Sequence, residues 1–342
     1  MFRYDRNFGC RVSDEWTYRG LRVLVMENDL LRIGILLDKG SDIFQFLYKP
    51  RDLDFMCLNP AGVRGLPWLD SYQDPVGPFL DYHEGGWQEV LPNGGRVCDY
   101  QGAHFGLHSE VWALPWRHQI IDDGPDCIRV KLWVRTLRTP FLLEKTLTLQ
   151  RGEPALEISE ELTNEAEVEM PLMWGHHPAF SPQFVDEHAV LKLPKCEVVC
   201  DLNVDEVSRF DPGQRFPWPI GRARNGQDVD LSHVPAHGSG ISDMLYLTEL
   251  SDGWAEIVNR KQGLSFRMDF DHEVFRCCWL YLEFGGNKGF WSWGRQNMVC
   301  LEPFSSWPAI LSNAMKQGTE LRLGPRGKRK AWLRAAVTEV SA

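Results

Sequence analysis

The sequence predicts an all-β protein built from antiparallel strands. Short apolar runs that contain β-branched residues recur along the 342 residues, and glycine and proline separate them. In the run Ile128–Thr136, apolar side chains occupy alternate positions from Ile128 to Val134, with Arg, Lys or Trp between them. That alternation is typical of a strand with one face in the core. No segment has the apolar spacing of an amphipathic helix of three turns.

The first strands are expected at Leu21–Met26 and Leu31–Leu37, where Glu27-Asn28-Asp29 between them indicates a hairpin. Further strands are predicted at Ile128–Thr136, Leu142–Leu149, Ala155–Leu162, Met244–Leu247, Ala255–Val258, Leu264–Phe270, Cys277–Phe284 and Met298–Leu301. The proline-rich stretch Arg209–Arg222 is expected to be a surface loop, because strands of the same character lie on both sides of it.

Composition and charge restrict the class of protein. A chain with 43% hydrophobic and 25% charged residues has the composition of an ordinary globular protein. The net charge of −10 argues against nucleic acid or an anionic membrane as a partner, since both attract clustered Lys and Arg. No apolar run is long enough to cross a bilayer. We therefore expect no nucleic-acid or membrane partner.

The N-terminal residues and the cysteines indicate the compartment. Met1–Arg6 is charged and lacks the apolar stretch of a secretory signal. The nine cysteines are an odd number and are scattered, which fits reduced thiols better than disulfides. Cys196 and Cys200 lack a second Cys/His pair that would complete a zinc site. The sequence therefore predicts a cytoplasmic protein.

Three segments carry the candidate chemistry. His108 lies in Gly106–Glu110, His177 in Gly175–Phe180 and Glu302 in Cys300–Phe304. Each is at an end of an apolar strand, which places the polar group at the rim of a sheet. Burial there would raise the pKa of Glu302 and make it a usable base near neutrality. Imidazole and carboxylate together can move a proton between two oxygens without metal or cofactor.

Other residues offer weaker signals. His83, His104 and His176 are expected mainly to form hydrogen bonds or to lie at the surface. His83, His108 and either His176 or His177 could in principle form a three-histidine metal site. The HxH or HxxxH spacing that usually accompanies such sites is met only in part, by His104 and His108, so no metal is predicted. Tryptophan can stack on a sugar ring. The candidates are Trp68, Trp87, Trp112, Trp116, Trp174, Trp291, Trp293 and Trp307.

These motifs, taken together, resemble the aldose 1-epimerase (galactose mutarotase-like) family. The run from Leu162-Thr163-Asn164 to His177-Pro178-Ala179-Phe180 is similar to that family's second histidine segment, and His108 resembles its first histidine. Ser109 stands where the family has glycine. Leu301-Glu302-Pro303 resembles the strand end with the catalytic glutamate, and Ser242–Leu247 the strand with an aspartate. The resemblance covers essentially the whole chain, and so implies one domain over residues 1–342.

The resemblance implies a large antiparallel β-supersandwich with its site on a concave sheet face. It implies that Glu302 takes the proton of the anomeric hydroxyl and that His177 protonates the ring oxygen. It also implies that His108 is a hydrogen-bond partner near that oxygen. His176 stays open as the acid instead. Asp243 would bind sugar hydroxyls. The expected activity is interconversion of the anomers of a small sugar, without a cofactor.

The loop Trp87–Gly95 is expected to approach the sugar, with Gln88, Glu89 and Asn93 as hydroxyl partners. Trp174 and His176 are also expected to bind the sugar. Relatives that act on hexose 6-phosphates often carry Arg-Gly-Gly here, whereas this chain has Glu84-Gly85-Gly86. Arg96 is the nearby cation that could compensate. The sequence therefore favours a neutral sugar.

Three other functions stay open. A glycoside hydrolase would pair Glu302 with Glu89 or Glu110, about 5–9.5 Å apart. A non-catalytic carbohydrate-binding protein would use the aromatic cleft alone, and its sugar binding would survive loss of Glu302. A metal-dependent sugar isomerase would be silenced by chelation.

Overall fold

A computed structural model describes residues 6–65, 76–203 and 206–341. The strands of the first half are β1 (Arg11–Tyr18), β2 (Leu21–Glu27), β3 (Leu31–Leu36), β4 (Asp42–Tyr48), β5 (Leu53–Asp54), β6 (Trp87–Val90), β7 (Cys98–Tyr100), β8 (Ala103–Phe105), β9 (Arg117–Asp123), β10 (Cys127–Arg135), β11 (Phe141–Gln150), β12 (Ala155–Asn164) and β13 (Met170–Leu172). Those of the second half are β14 (Gly175–Phe180), β15 (Ala189–Lys192), β16 (Glu197–Cys200), β17 (Arg215–Pro217), β18 (Ile220–Arg222), β19 (Asp228–Asp230), β20 (Ile241–Thr248), β21 (Trp254–Asn259), β22 (Leu264–Phe270), β23 (Cys277–Phe284), β24 (Asn297–Phe304), β25 (Leu321–Leu323) and β26 (Lys328–Glu339).

Helices are few and short in the described ranges. They are α1 (Gly77–Tyr82), α2 (Leu311–Gln317) and the 3-10 turns Lys49–Arg51 and Val111–Ala113. None of the described helices is long and apolar enough to cross a membrane. The expectation of an all-β fold is confirmed, and no helix within the described ranges reaches three turns.

Two large antiparallel sheets form the fold. The first has twelve strands in the order β1-β2-β3-β4-β6-β14-β24-β23-β20-β16-β17, with β5 paired to β4. The second has eight strands in the order β15-β21-β22-β26-β12-β11-β10-β9. Side chains from both sheets share one apolar core. Phe46 of β4 and Phe180 of β14 each meet Phe266 of β22 edge to face at a ring distance of 5.0 Å.

The predicted strands are all present, and their faces follow the sequence pattern. On β10 the side chains of Ile128, Val130, Leu132 and Val134 are buried, as the alternation predicted. The expectation for Arg209–Arg222 was wrong in part, since β17 and β18 lie within it. The strand β26, which pairs with β12 and β22 in the second sheet, was not predicted, because its sequence begins with the cations Lys328, Arg329 and Lys330. Trp68 lies outside the described residues, and the single-domain organisation stays a prediction.

The register of the central strands positions the site. β6, β14, β24, β23 and β20 are consecutive neighbours in the first sheet. His177 of β14 lies opposite Gln88 of β6, and Glu302 of β24 lies opposite Trp279 of β23. Side chains on a strand alternate between faces, so each of these strands offers one set of residues to the core and another to the outer face.

Candidate active site

A cavity of about 330 Å³ lies on the face of the first sheet that points away from the second sheet. That volume is at the lower end of the range for small-molecule sites. Polar residues of its wall include Asn59, His83, Arg96, His108, His177, Asp201, Ser242, Tyr281, Asn287 and Glu302. Its apolar wall includes Phe79, Leu80, Leu107, Met244, Trp279, Trp291 and Met298. The structure thus brings His108, His177 and Glu302 into one cavity.

His177 and Glu302 form the centre of the cavity. Nε2 of His177 is 3.5 Å from Oε1 of Glu302. Nδ1 of His177 and Oε2 of Glu302 are buried and have no hydrogen-bond partner in the described residues. Burial raises the pKa of Glu302 well above its usual range and lowers the pKa of His177 to about 4. Both groups are therefore held near their neutral forms, with atoms free for a ligand.

Two more imidazoles line the wall beside this pair. The ring of His108 is 4.8 Å from that of His177, and the ring of His83 is 6.1 Å from it. Phe79 stacks on both, at 4.2 Å from His108 and 4.4 Å from His83. Burial, followed by the effect of His177, lowers the pKa of each ring well below its usual value. The sequence assigned His83 a structural role, and its place in the cavity was missed.

The backbone at His108 is left-handed. His108 has φ of +55° and Ser109 has φ of +64°. Non-glycine residues adopt this conformation at a cost and persist in it where the surrounding structure enforces it. The glycine that the family resemblance leads one to expect at position 109 would adopt it freely. The strained turn directs the imidazole of His108 toward Gln88.

The structure corrects the expectation that Glu89, His176 and Trp174 contact the sugar, because their side chains face the interior between the sheets. Oε2 of Glu89 is 3.0 Å from Nζ of Lys145 on β11. Nε1 of Trp174 donates to Oε1 of Glu89 at 3.1 Å. Nε2 of His176 is 3.1 Å from Oε2 of Glu160 on β12. These residues form a buried polar layer directly behind the candidate site, and none of them lines the cavity.

Asp243 and Asn93 are also corrected, since both are fully used by the protein itself. Asp243 faces away from the cavity, accepting hydrogen bonds from Ser208 Oγ at 3.0 Å and pairing with Arg209 Nε at 2.6 Å. It thereby holds the loop that precedes β17. Asn93 accepts from the backbone N–H of Leu311 at 2.8 Å and donates to a backbone carbonyl.

The structure places Glu84 and Arg96, the two charged residues that the sequence analysis used to weigh a phosphosugar substrate, in different surroundings. Glu84 is completely buried in an ion pair with Lys39, so it does not face the cavity. Arg96 does line the cavity, and its guanidinium is 3.2 Å from the carboxylate of Asp201. The cation is thus already matched by an anion.

Several cavity residues were missed by the sequence analysis. Tyr281 and Trp279 face the cavity from β23, beside Glu302 on β24. The hydroxyl of Tyr281 donates to Glu283 at 3.0 Å, and burial raises the pKa of Tyr281 well above its usual value. The sequence signal that could have identified these two residues is the spacing Trp-x-Tyr within the predicted strand Cys277–Phe284, which places both aromatic side chains on one face. Among the candidate tryptophans, Trp291 lines the cavity.

Among the residues that the structure describes, two groups of side chains place their ligand atoms within 4.8 Å of one another, a spacing that could hold a metal ion. They are His177, Cys300 and Glu302 at the cavity, and Glu89, Glu160 and His176 behind it. Burial raises the pKa of the Cys300 thiol well above its usual value, whereas a metal ligand must be a thiolate. In the second group Lys145 already neutralises Glu89.

The sequence matches one known protein family along most of its length. The model of the family described as "Domain of unknown function (DUF4432)" matches residues 18–337. The chain belongs to this family. No curated protein sequence matches this chain.

Solved structures share the fold at low sequence identity. A Klebsiella pneumoniae protein named a "putative aldose 1-epimerase" aligns with TM-score 0.72 at 15% identity, over 97% of this chain and 84% of that one. A galactose mutarotase-like protein from Clostridium acetobutylicum aligns with TM-score 0.67 at 13% identity, over 97% and 99%. The Slr1438 protein from Synechocystis sp. PCC 6803 aligns with TM-score 0.64 at 19% identity, over 98% and 100%. The fold of this DUF4432 chain is therefore galactose mutarotase-like, as the sequence resemblance implied.

Proposed function

We propose that this protein is an aldose 1-epimerase that interconverts the α and β anomers of a neutral sugar. The observation that carries the proposal is the buried pair His177–Glu302, 3.5 Å apart at the wall of a sugar-sized cavity, with a free atom on each group. The shared fold of structural neighbours that are named a "putative aldose 1-epimerase" and a galactose mutarotase-like protein supports the proposal. His108 assists beside the pair, 4.8 Å from His177 between ring centres.

Anomer interconversion requires one proton to leave the anomeric hydroxyl and one to reach the ring oxygen, followed by rotation and reclosure. Burial favours the neutral form of both Glu302 and His177, so the pair shares one proton. The shared proton rests on Glu302, and the reactive form of the pair is the one in which this proton has moved to His177. In that form Glu302 takes the hydroxyl proton while His177 protonates the ring oxygen. Opening leaves the proton on Glu302, and reclosure on the other face runs the same transfers backwards. No redox cofactor is needed.

Substitution of the pair tests the proposal. Glu302→Gln should abolish interconversion, because the amide keeps the shape but cannot accept a proton, while sugar binding stays within about tenfold of wild type. His177→Ala should lower the rate by about 10²–10⁴-fold. Polarimetry or NMR of a freshly dissolved anomer gives the rate, and Glu187→Gln, at a glutamate that is 55% exposed, is the control. Unchanged interconversion in Glu302→Gln would refute the assignment.

The geometry disfavours a glycoside hydrolase. Glu89 lies behind the sheet with Lys145. The carboxylate of Glu110 accepts hydrogen bonds from the backbone of Leu137 and Arg138 at 2.7 Å each and does not line the cavity. Among described residues the second carboxylate of the cavity wall is Asp201, which Arg96 neutralises. A hydrolase would need a second carboxylate that is free to act as acid or nucleophile.

We also propose a cytoplasmic setting. All nine cysteines are unpaired, and most are buried. Unpaired thiols are usual in reducing compartments. The proposed partner is a small sugar alone, with no nucleic acid or membrane.

A further inference from the structure

Gln88 connects two imidazoles of the cavity wall. Its Oε1 is 2.6 Å from Nδ1 of His108, and its Nε2 is 3.4 Å from Nδ1 of His83. Gln88 is completely buried, and Phe79 stacks on both rings and fixes their planes. Since Gln88 occupies Nδ1 of both rings, Nε2 of each ring is the atom that a ligand in the cavity can reach.

The chemistry of the amide decides where the hydrogens are. An amide oxygen only accepts hydrogen bonds and an amide nitrogen only donates them. His108 must therefore carry hydrogen on Nδ1, and Nδ1 of His83 must be bare. Burial keeps both rings neutral, with one hydrogen each. It follows that Nε2 of His83 is a donor and Nε2 of His108 is an acceptor.

We propose that Gln88 holds His83 and His108 in opposite tautomers, and that the two rings together select an uncharged hydroxyl group of the substrate. The rings are 6.0 Å apart between centres, a separation that one hydroxyl or two neighbouring hydroxyls can bridge. A hydroxyl both donates and accepts. A phosphate dianion or carboxylate only accepts, so it would face the lone pair of His108. This inference rests on the proposed function and names its substrate class as neutral polyhydroxy compounds.

His83 thereby becomes a substrate-binding residue of the reaction. The selected hydroxyl lies beside the proton-transfer pair, because His108 is 4.8 Å and His83 6.1 Å from His177 between ring centres. Gln88 acts through the two rings and is a positioning residue. The charge of the site stays low, which suits a neutral ligand.

The first test reads the tautomers without substrate. Long-range ¹H–¹⁵N NMR of the full chain, labelled at histidine nitrogens and held near pH 7.5, distinguishes the two neutral tautomers. Signals are assigned with His83→Gln and His108→Gln. We expect hydrogen on Nε2 of His83 and on Nδ1 of His108. The reverse arrangement, or the same tautomer in both rings, would overturn the proposal whether or not the protein turns over any sugar.

The second test changes the amide. In Gln88→Glu the carboxylate only accepts, so His83 should move its hydrogen to Nδ1 while His108 stays unchanged. Both Nε2 atoms then accept, and kcat/KM for a neutral aldose should fall at least tenfold, mainly through KM. Gln227→Glu, at an exposed glutamine, controls for the added charge. An unmoved His83 tautomer in a folded variant would contradict the role of Gln88.

A titration of wild-type protein separates substrate class from turnover and does not depend on the variant. Galactose should shift the Nε2 signals of both His83 and His108, and galactose 6-phosphate should need at least tenfold higher concentration. Tighter binding of the phosphate would overturn the inferred substrate class. Correct tautomers and galactose binding without anomer interconversion would instead refute the proposed activity and leave the recognition intact.

Discussion

Replacement of Lys145 by methionine should destabilise the protein strongly, because it leaves a buried carboxylate without its cation. The Lys145 side chain is 6% exposed and Glu89 is 1% exposed, and their charged atoms are 3.0 Å apart. At an effective dielectric constant of about 20, two unit charges at that distance attract by about 5.5 kcal/mol. Breaking a buried pair from one side costs about 3–5 kcal/mol. We expect a loss of that size in the free energy of unfolding.

The double variant separates the charge effect from lost packing. Adding Glu89→Gln to Lys145→Met removes the stranded charge, and the amide oxygen can still accept from Nε1 of Trp174. The double variant should therefore recover most of the lost stability, since neutral replacement of a buried pair is often tolerated. Additive losses would refute this account of the polar layer.

Urea unfolding followed by tryptophan fluorescence measures these differences, provided that the denaturant slope is unchanged. The control is Lys328→Met, which removes a similar ion pair with Glu161 from the surface, where Lys328 is 60% exposed. Surface pairs contribute about 0–1 kcal/mol, so the control should stay near wild type. A loss below about 1 kcal/mol for Lys145→Met would show that the interior pair carries little stability.

Three further predictions follow. Treatment with a strong chelator should leave anomer interconversion intact, and stoichiometric metal whose removal abolishes the rate would favour an isomerase. Burial, followed by the charge of Glu89, raises the pKa of Glu160 from 4.5 to about 7 in the folded protein. The folded state therefore holds a proton that the unfolded state has lost, so the free energy of unfolding falls as the pH rises from 4.5 to 7. Glu160→Gln should remove that fall, on the order of 3 kcal/mol, and an unchanged pH profile of urea unfolding would contradict it. Neutral aldoses should be preferred over their 6-phosphates by at least tenfold in kcat/KM, and Asp201→Asn, by freeing Arg96, should narrow that gap. A phosphate preference in wild type would contradict this.

The strands were predictable because their signal is local. Alternation of apolar and polar residues within Ile128–Thr136 depends only on neighbouring positions, and the structure buries the expected set. The sequence of β26 begins with three consecutive cations, Lys328, Arg329 and Lys330, which weakened the same signal. The site residues were found through strand ends and family resemblance, and their roles stay predictions.

The face of each strand was harder to predict. His176 and His177 are adjacent, and so are Gln88 and Glu89, so one member of each pair faces the cavity side and the other the core. A shift of one residue in register exchanges them. The sequence offered both histidines as the acid and both loop residues as sugar ligands. The pairing of β14 with β6 and β24 decides which member of each pair faces the cavity.

The sequence alone determined the all-β class, the strands with clear alternation and the residue types capable of proton transfer. These features depend only on local spacing and on the intrinsic chemistry of the side chains. Tertiary structure decided that His83 joins the cavity, that Gln88 binds two imidazoles and that Glu89 pairs with Lys145. Glu89 and Lys145 lie on different sheets, 56 residues apart in the chain. Contacts of that kind arise from sheet-on-sheet packing, and no periodicity within either strand encodes them.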